Sequence, residues 1–369
     1  MSSGVARRHR GNVAAALKLH SMYSLPVLLS GIPSLLLSSS EVNIVDIHHR
    51  KTLNSLLKLY PSTPHAFTYF IAGSLPAKAI VHQRQLGLFN MICNLPFDPL
   101  HRRAKYVLVC LPPSHKSWFS QLRDICLLYD LPHPLEFINN PLSKESFKKL
   151  IKSKVMNYWE EKLRCDTLSL SSLVFFKPAF YSLSRPHPIL WTPGPNPYEV
   201  SKSIIQCKML SGRYRTELLA SHWSKNKSGF CLSCSGPDVI EDLNHILLWC
   251  PSYHTAREKV KLLWHNCAQP LLLPVLESVL QGSQGDLMQF LLDPSVHPSI
   301  ISLAQSNSDD ILRVVFHLTR TWCYTIHKER SKTLGRWPRL VYIYHHIYSP
   351  KVRVILPCLY PAFYFHIIQ

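Results

Sequence analysis

The stretch Ser143-Lys-Glu-Ser-Phe-Lys-Lys-Leu-Ile-Lys-Ser-Lys-Val-Met-Asn-Tyr-Trp-Glu-Glu-Lys-Leu-Arg164 decides the fold class. Phe147, Leu150, Ile151, Val155, Tyr158, Trp159 and Leu163 recur every three or four residues, which lines them along one face of an α-helix. Ser143 has the side chain of an N-cap, and Glu145 suits the positive end of the first turn. Lys148, Lys149, Lys152 and Lys154 fill the opposite side. Such a face is either the solvated flank of a core stripe or a track for phosphates.

Working outward, similar patterns predict a mainly α protein. Residues 1–60 read as a helical segment. One helix spans Ala14 to Tyr23, with Pro26 ending or kinking it. Ser38 to Ser40 then break the chain, and Glu41 opens a helix to about Leu59 that buries Val45, Leu53, Leu56 and Leu57. His48, His49, Arg50 and Lys51 read as its solvated basic edge. Residues 61–176 continue the helical region. Pro76 precedes a helix from Ala77 to about Cys93, with Ile80, Leu86, Phe89 and Met91 inward. A further helix covers Lys116 to Tyr129, with Trp118, Leu122, Ile125 and Cys126 inward. Residues 177–198 carry Pro178, Pro186, Pro188, Pro193, Pro195 and Pro197, an extended connector and the main expected domain boundary. Residues 199–267 begin with a helix from Glu199 to about Ser211. Residues 268–337 start loop-rich to about 308 and end in a helix from Asp310 to about Arg330, opened by Asp309-Asp310. Residues 338–369 form an aromatic, histidine-rich tail with no assigned role.

The chemistry concentrates in residues 199–267. Cys231-Leu-Ser-Cys234 is followed after ten residues by His245 and after four more by Cys250. Three thiolates and one imidazole form a set typical of structural zinc, and Gly236-Pro237 suits the turn between the limbs. Four protein ligands leave no open position, so the expected cofactor is a structural Zn²⁺ and not a catalytic one. A helix should begin at or just before His245, with Glu241-Asp242 at its start. His254, His265 and Cys267 are spare donors. Around the motif lie Lys202, Lys208, Arg213, Tyr214, Arg215, Lys225 and Lys227, read as candidate nucleic-acid contacts. Trp223 and Phe230 would either pack on the metal loop or stack on bases.

Composition agrees with that emphasis. Lys plus Arg number 41 against 22 Asp plus Glu, a formal charge of +19 that favours polyanionic partners. The 11 cysteines are odd in number and mostly scattered, which suits a reducing compartment better than a disulfide framework. Leu25 to Leu37 is too short, and too broken by Pro26 and Pro33, to span a membrane. No phosphate-binding glycine loop, dinucleotide fingerprint or nucleophile elbow is present.

Several stretches together resemble one family. Tyr198-Glu-Val-Ser-Lys202, Lys208-Met-Leu-Ser-Gly-Arg-Tyr-Arg-Thr-Glu217, His222-Trp-Ser224 and His245-Ile-Leu-Leu-Trp-Cys250-Pro-Ser-Tyr253 are similar to the carboxy-terminal region of non-LTR (LINE-type) retrotransposon reverse transcriptases. Upstream, Leu19-His-Ser-Met-Tyr-Ser-Leu-Pro-Val-Leu-Leu-Ser-Gly31 and His49-Arg-Lys-Thr-Leu53 resemble the thumb of that family. Ala72-Gly-Ser-Leu-Pro-Ala77 and His82-Gln-Arg-Gln-Leu86 resemble its continuation. Phe290-Leu-Leu-Asp-Pro294, Leu318-Thr-Arg-Thr-Trp-Cys323 and Gly335-Arg-Trp337 extend the likeness, so that about residues 15–337 fit.

The resemblance implies a fragment: a helical thumb-like region followed by a small zinc-knuckle domain with helices. No Tyr-x-Asp-Asp occurs in the sequence, and the fourteen residues given before residue 15 leave no room for an endonuclease. Polymerisation needs carboxylate-held metal ions. The expectation is therefore a nucleic-acid-binding, non-enzymatic remnant with RNA or DNA as partner, no membrane and no small-molecule substrate, in the nucleus or cytoplasm. The alternatives are an inert relic and a domesticated protein-interaction module.

Overall fold

The computed structural model describes residues 12–335 apart from 96–98, 113, 225, 235–238 and 268–269, and apart from the side chains of 267 and 305–308. The tail, Lys225 and the Gly236-Pro237 turn lie outside the described residues. The protein is mainly helical, as its periodicity predicts. In chain order the helices are α1 (Val13–Leu19), α2 (Leu25–Leu28), α3 (Ser39–Leu57), α4 (His65–Ala72), α5 (Ala77–Cys93), α6 (Pro99–Cys110), α7 (Trp118–Leu128) and α8 (Pro134–Asn139). They continue with α9 (Lys144–Leu168), α10 (Pro188–Trp191), α11 (Pro197–Leu210), α12 (Glu217–Ser221), α13 (His254–Cys267), α14 (Leu273–Gln281), α15 (Gln284–Leu292) and α16 (Pro298–Thr333). Two π-helical turns, His20–Ser24 and His245–Trp249, interrupt them.

Local chemistry explains the boundaries. Ser38 Oγ accepts from Glu41 N while Glu41 Oε2 accepts from Ser38 N at 2.8 Å, a reciprocal cap that starts α3. Ser143 Oγ caps α9 through Ser146 N. That helix buries Phe147, Ile151, Val155, Trp159, Leu163 and Thr167 and packs on α5 and α4. Its Lys148, Lys149 and Lys152 are exposed, while Lys154 pairs with Asp130 at 2.6 Å. α16 is the spine of the second half, packing against α11, α13 and α15.

Several expectations need correction. Pro26 does not end the first helix. It lies in the first turn of α2, where a missing N–H costs nothing, and the wide turn at His20–Ser24 joins α1 to it. His49 is not on a solvated edge. It is fully buried, with Nδ1 3.2 Å from His20 Nε2 and Nε2 3.2 Å from Leu75 O. Met91 faces solvent. Residues 270–308 are largely helical, because Pro274, Ser283 and Pro298 act as helix starts and not as loop residues. Asp309 and Asp310 fall inside α16, far from its beginning.

The proline-rich stretch 177–198 is a series of short turns held against the core. Leu183, Ile189 and Leu190 are buried, and His187 N donates to Ile71 O. At Gly73, in the left-handed region at φ +60°, a Cβ would lie 2.2 Å from the Arg185 carbonyl carbon. One continuous apolar core runs past this stretch, from Val13 to Ile326. Among the described residues, no helix is long and apolar enough to cross a membrane.

Candidate metal centre and the basic cleft beside it

The two limbs of the Cys/His motif are brought together by backbone pairing. Cys231 N donates to Val239 O at 2.8 Å, and Glu241 N donates to Gly229 O at 2.9 Å, around an antiparallel bridge between Phe230 and Ile240. Asp242 Oδ1 then accepts from His245 N at 2.7 Å and opens the next turn. That turn is π-helical: Cys250 N reaches back five residues to His245 O. The wide turn sets the Cys250 and His245 side chains on the same side, a use of π geometry common at functional sites.

The four donors converge. Cys231 Sγ lies 3.9 Å from Cys250 Sγ, and Cys234 Sγ lies 3.6 Å from His245 Nε2. All four donor atoms fall within 4.8 Å of one another, and Cys231, His245 and Cys250 are buried. A tetrahedral ion with bonds of about 2.3 Å to sulfur and about 2.0 Å to nitrogen spaces its donors roughly 3.5–3.8 Å apart. The cluster can therefore hold a metal ion. His254 and His265 are exposed and lie outside it, and the Cys267 side chain is not described.

Electrostatics point the same way. Burial pushes the Cys231 thiol up to about 12, against the pull of the Ser233 and Cys234 amides, and raises Cys250 as well. Burial lowers His245 despite the nearby Asp242 and Glu241, which keeps its ring neutral and its lone pair free. Thiols in such a place ionise readily only beside a cation, and a bound metal supplies one.

A ring of contacts that sequence reasoning missed fixes both limbs. Glu241 is fully buried, and its Oε1 accepts from Glu217 N at 2.8 Å and Arg330 Nη2 at 2.5 Å. Arg257 Nη2 donates to Cys250 O at 2.8 Å. Tyr253 OH donates to Ser233 Oγ at 2.6 Å, the Ser252 hydroxyl to the Ser233 carbonyl, and Trp322 Nε1 to Leu247 O. Glu241, Ser233, Ser252, Tyr253 and Arg257 lie in or beside the motif in sequence, whereas Glu217, Trp322 and Arg330 carried no signal that could have found this ring.

The surrounding basic residues divide. Lys202 is buried and bonds Glu199 Oε1 at 2.7 Å and Thr321 Oγ1 at 3.1 Å, so its charge is spent inside the protein. Tyr214 is buried too, with its hydroxyl 2.8 Å from His327 Nδ1 and the Arg330 guanidinium over its ring, so it has no face free for a base. These two leave the list of candidate contacts. Arg213, Arg215 and Lys227, by contrast, line one open cleft of about 490 Å³ with Tyr60, Pro61 and Trp223. Arg215 is exposed, and Lys227 pairs with Glu217 at 3.0 Å. The Arg213 Nε is buried without a hydrogen-bond partner. Lys208 Nζ sits 5.1 Å from the centre of the Tyr60 ring, and burial lowers its pKa. No carboxylate is among the cleft's described lining residues. Trp223 is 63% exposed and is therefore not packed on the metal loop, whereas Phe230 is half-buried.

No protein-family model, curated protein or solved structure matches the chain.

Proposed function

We propose that the protein binds nucleic acid, with a structural zinc ion shaping the element that carries the contacts. The carrying observation is the placement of the Cys231, Cys234, His245 and Cys250 cluster at the end of the very loop that forms one wall of the cationic cleft. Three soft thiolates and an imidazole favour zinc over harder ions. The cation-lined wall and the net +19 charge suit phosphates. In this reading the chain descends from a non-LTR retrotransposon reverse transcriptase and works without catalysis of its own, since the sequence lacks the acidic pair that polymerisation needs. A reducing, intracellular setting goes with free thiolate ligands.

The test is zinc content by elemental mass spectrometry together with oligonucleotide titration against salt. One zinc per chain is expected, lost in Cys231→Ser and in Cys250→Ser. With about two phosphate contacts, log affinity should fall against log salt with a slope of roughly −1.5 to −2. A zinc-loaded chain whose affinity ignores salt would sink the reading. A protein-interaction role would then lead, favoured by the apolar surface at Tyr23 and Val27, 62% and 76% exposed.

A further inference from the structure

The same cleft supports a narrower statement. Its cations are Arg213, Arg215 and Lys227, the last already paired with Glu217, and its aromatic residues are Tyr60 and Trp223. The two rings are differently placed. Tyr60 is covered by the Lys208 ammonium, whereas the Trp223 indole stands largely in solvent at the cleft wall. An exposed tryptophan bordered by cations is costly to leave in water and offers a flat apolar face. The faces of bases within a duplex are already covered by their neighbours. Only an unpaired base can lie on such an indole while its phosphates reach the cations alongside. Arg213 and Arg215 line the same cleft, which has no carboxylate among its described lining residues, so its wall suits an anionic oxygen. A volume of about 490 Å³ falls in the range of sites that enclose a nucleotide-sized ligand.

We infer that this cleft takes single-stranded nucleic acid, with one base stacked on Trp223 and the adjoining phosphates held by Arg213 and Arg215. The inference rests on the nucleic-acid reading above and adds to it the strandedness of the ligand and the residue that selects it. The contact reads no sequence, because every base has a face to stack.

The experiment uses the full, zinc-loaded chain and fluorescence anisotropy with labelled dT12, U12 and a blunt 12-base-pair duplex at fixed salt. Trp223→Ala should weaken binding of dT12 or U12 about tenfold or more, leave duplex binding within about twofold, and leave the thermal midpoint in place. Trp223→Phe should keep most of the affinity, since it keeps a ring. Arg213→Met should weaken the single strand and reduce the salt slope by about one. A larger loss on U12 than on dT12, or the reverse, would carry the inference and name the polymer. Equal weakening of single strand and duplex by Trp223→Ala, or no weakening of either, overturns the stacking site while leaving nucleic-acid binding intact. Failure of the wild-type chain to bind any of the three overturns both readings.

Discussion

Glu241 lies in a place where no solvent reaches it. It is held there by the Glu217 amide and by Arg330, whose guanidinium burial would weaken as a cation but which Tyr214 and Glu241 together draw further toward the charged form. Removing one charge from a buried pair leaves the other uncompensated, which costs more than the pair contributes. Glu241→Gln keeps the shape and the acceptor for Glu217 N but strands the Arg330 charge. Its unfolding free energy in urea should drop by about 3 kcal/mol, and a loss below about 1 kcal/mol would contradict the account. Residues of this kind were the least legible in the sequence. Lys202 and Tyr214 had the right chemistry for phosphate and base, yet their burial depends on Thr321 and His327, more than a hundred residues on, and for Lys202 also on Glu199 one helical turn before it. Arg213 and Arg215 were read with the same signal, and only the Glu199–Lys202 spacing hinted locally that Lys202 differs from them.

At the scale of elements, the caps and periods were legible and the irregular turns were not. Ser38, Pro76 and Ser143 mark helix starts through chemistry confined to a few residues. The Cys/His cluster that could hold a metal was legible for the same reason, because a Cys-x₂-Cys limb is a local arrangement. The wide turn at His245–Trp249 was not, since nothing in His-Ile-Leu-Leu-Trp distinguishes it from ordinary helix. It nonetheless sets the geometry. Inserting one alanine between Leu248 and Trp249 should turn Cys250 about 100° further round the helix axis, away from His245. The expected result is loss of metal binding, with Leu248→Ala retaining it. Full metal occupancy in the insertion variant would show that the turn is incidental.

For the molecule as a whole, buried histidines set a pH limit. Burial lowers His49 and His82 to about 4 each. An unfolded chain binds protons at histidine near pH 6.5. Both rings are neutral in either state above that pH, so their full contribution is present there. Below it only the unfolded chain takes up the protons, and stability falls until the folded rings titrate near 4. Together the two should remove about 4 kcal/mol between pH 7 and pH 5. Urea midpoints across that range test the figure, and His82→Gln should flatten the slope. A midpoint that does not fall with acid would refute it. The proline-rich segment shows what sequence cannot say at this scale: its composition reads as a linker, but Ile71, Gly73 and the core beneath it clamp it in place.

The last helix, α16, is 36 residues long, about 54 Å at the usual rise. Arg320 bonds Glu199 near the start of α11, and Trp322 and Arg330 reach the two limbs of the metal motif. The motif ends at Cys250, yet its carboxylate anchor is satisfied eighty residues later. A chain truncated shortly after the motif would keep every ligand and lose the splint that holds them in register. The shortest stretch that keeps this anchor therefore runs through Arg330, so a stop codon before that residue would leave the ligands in the chain and take away the contacts that hold them in register.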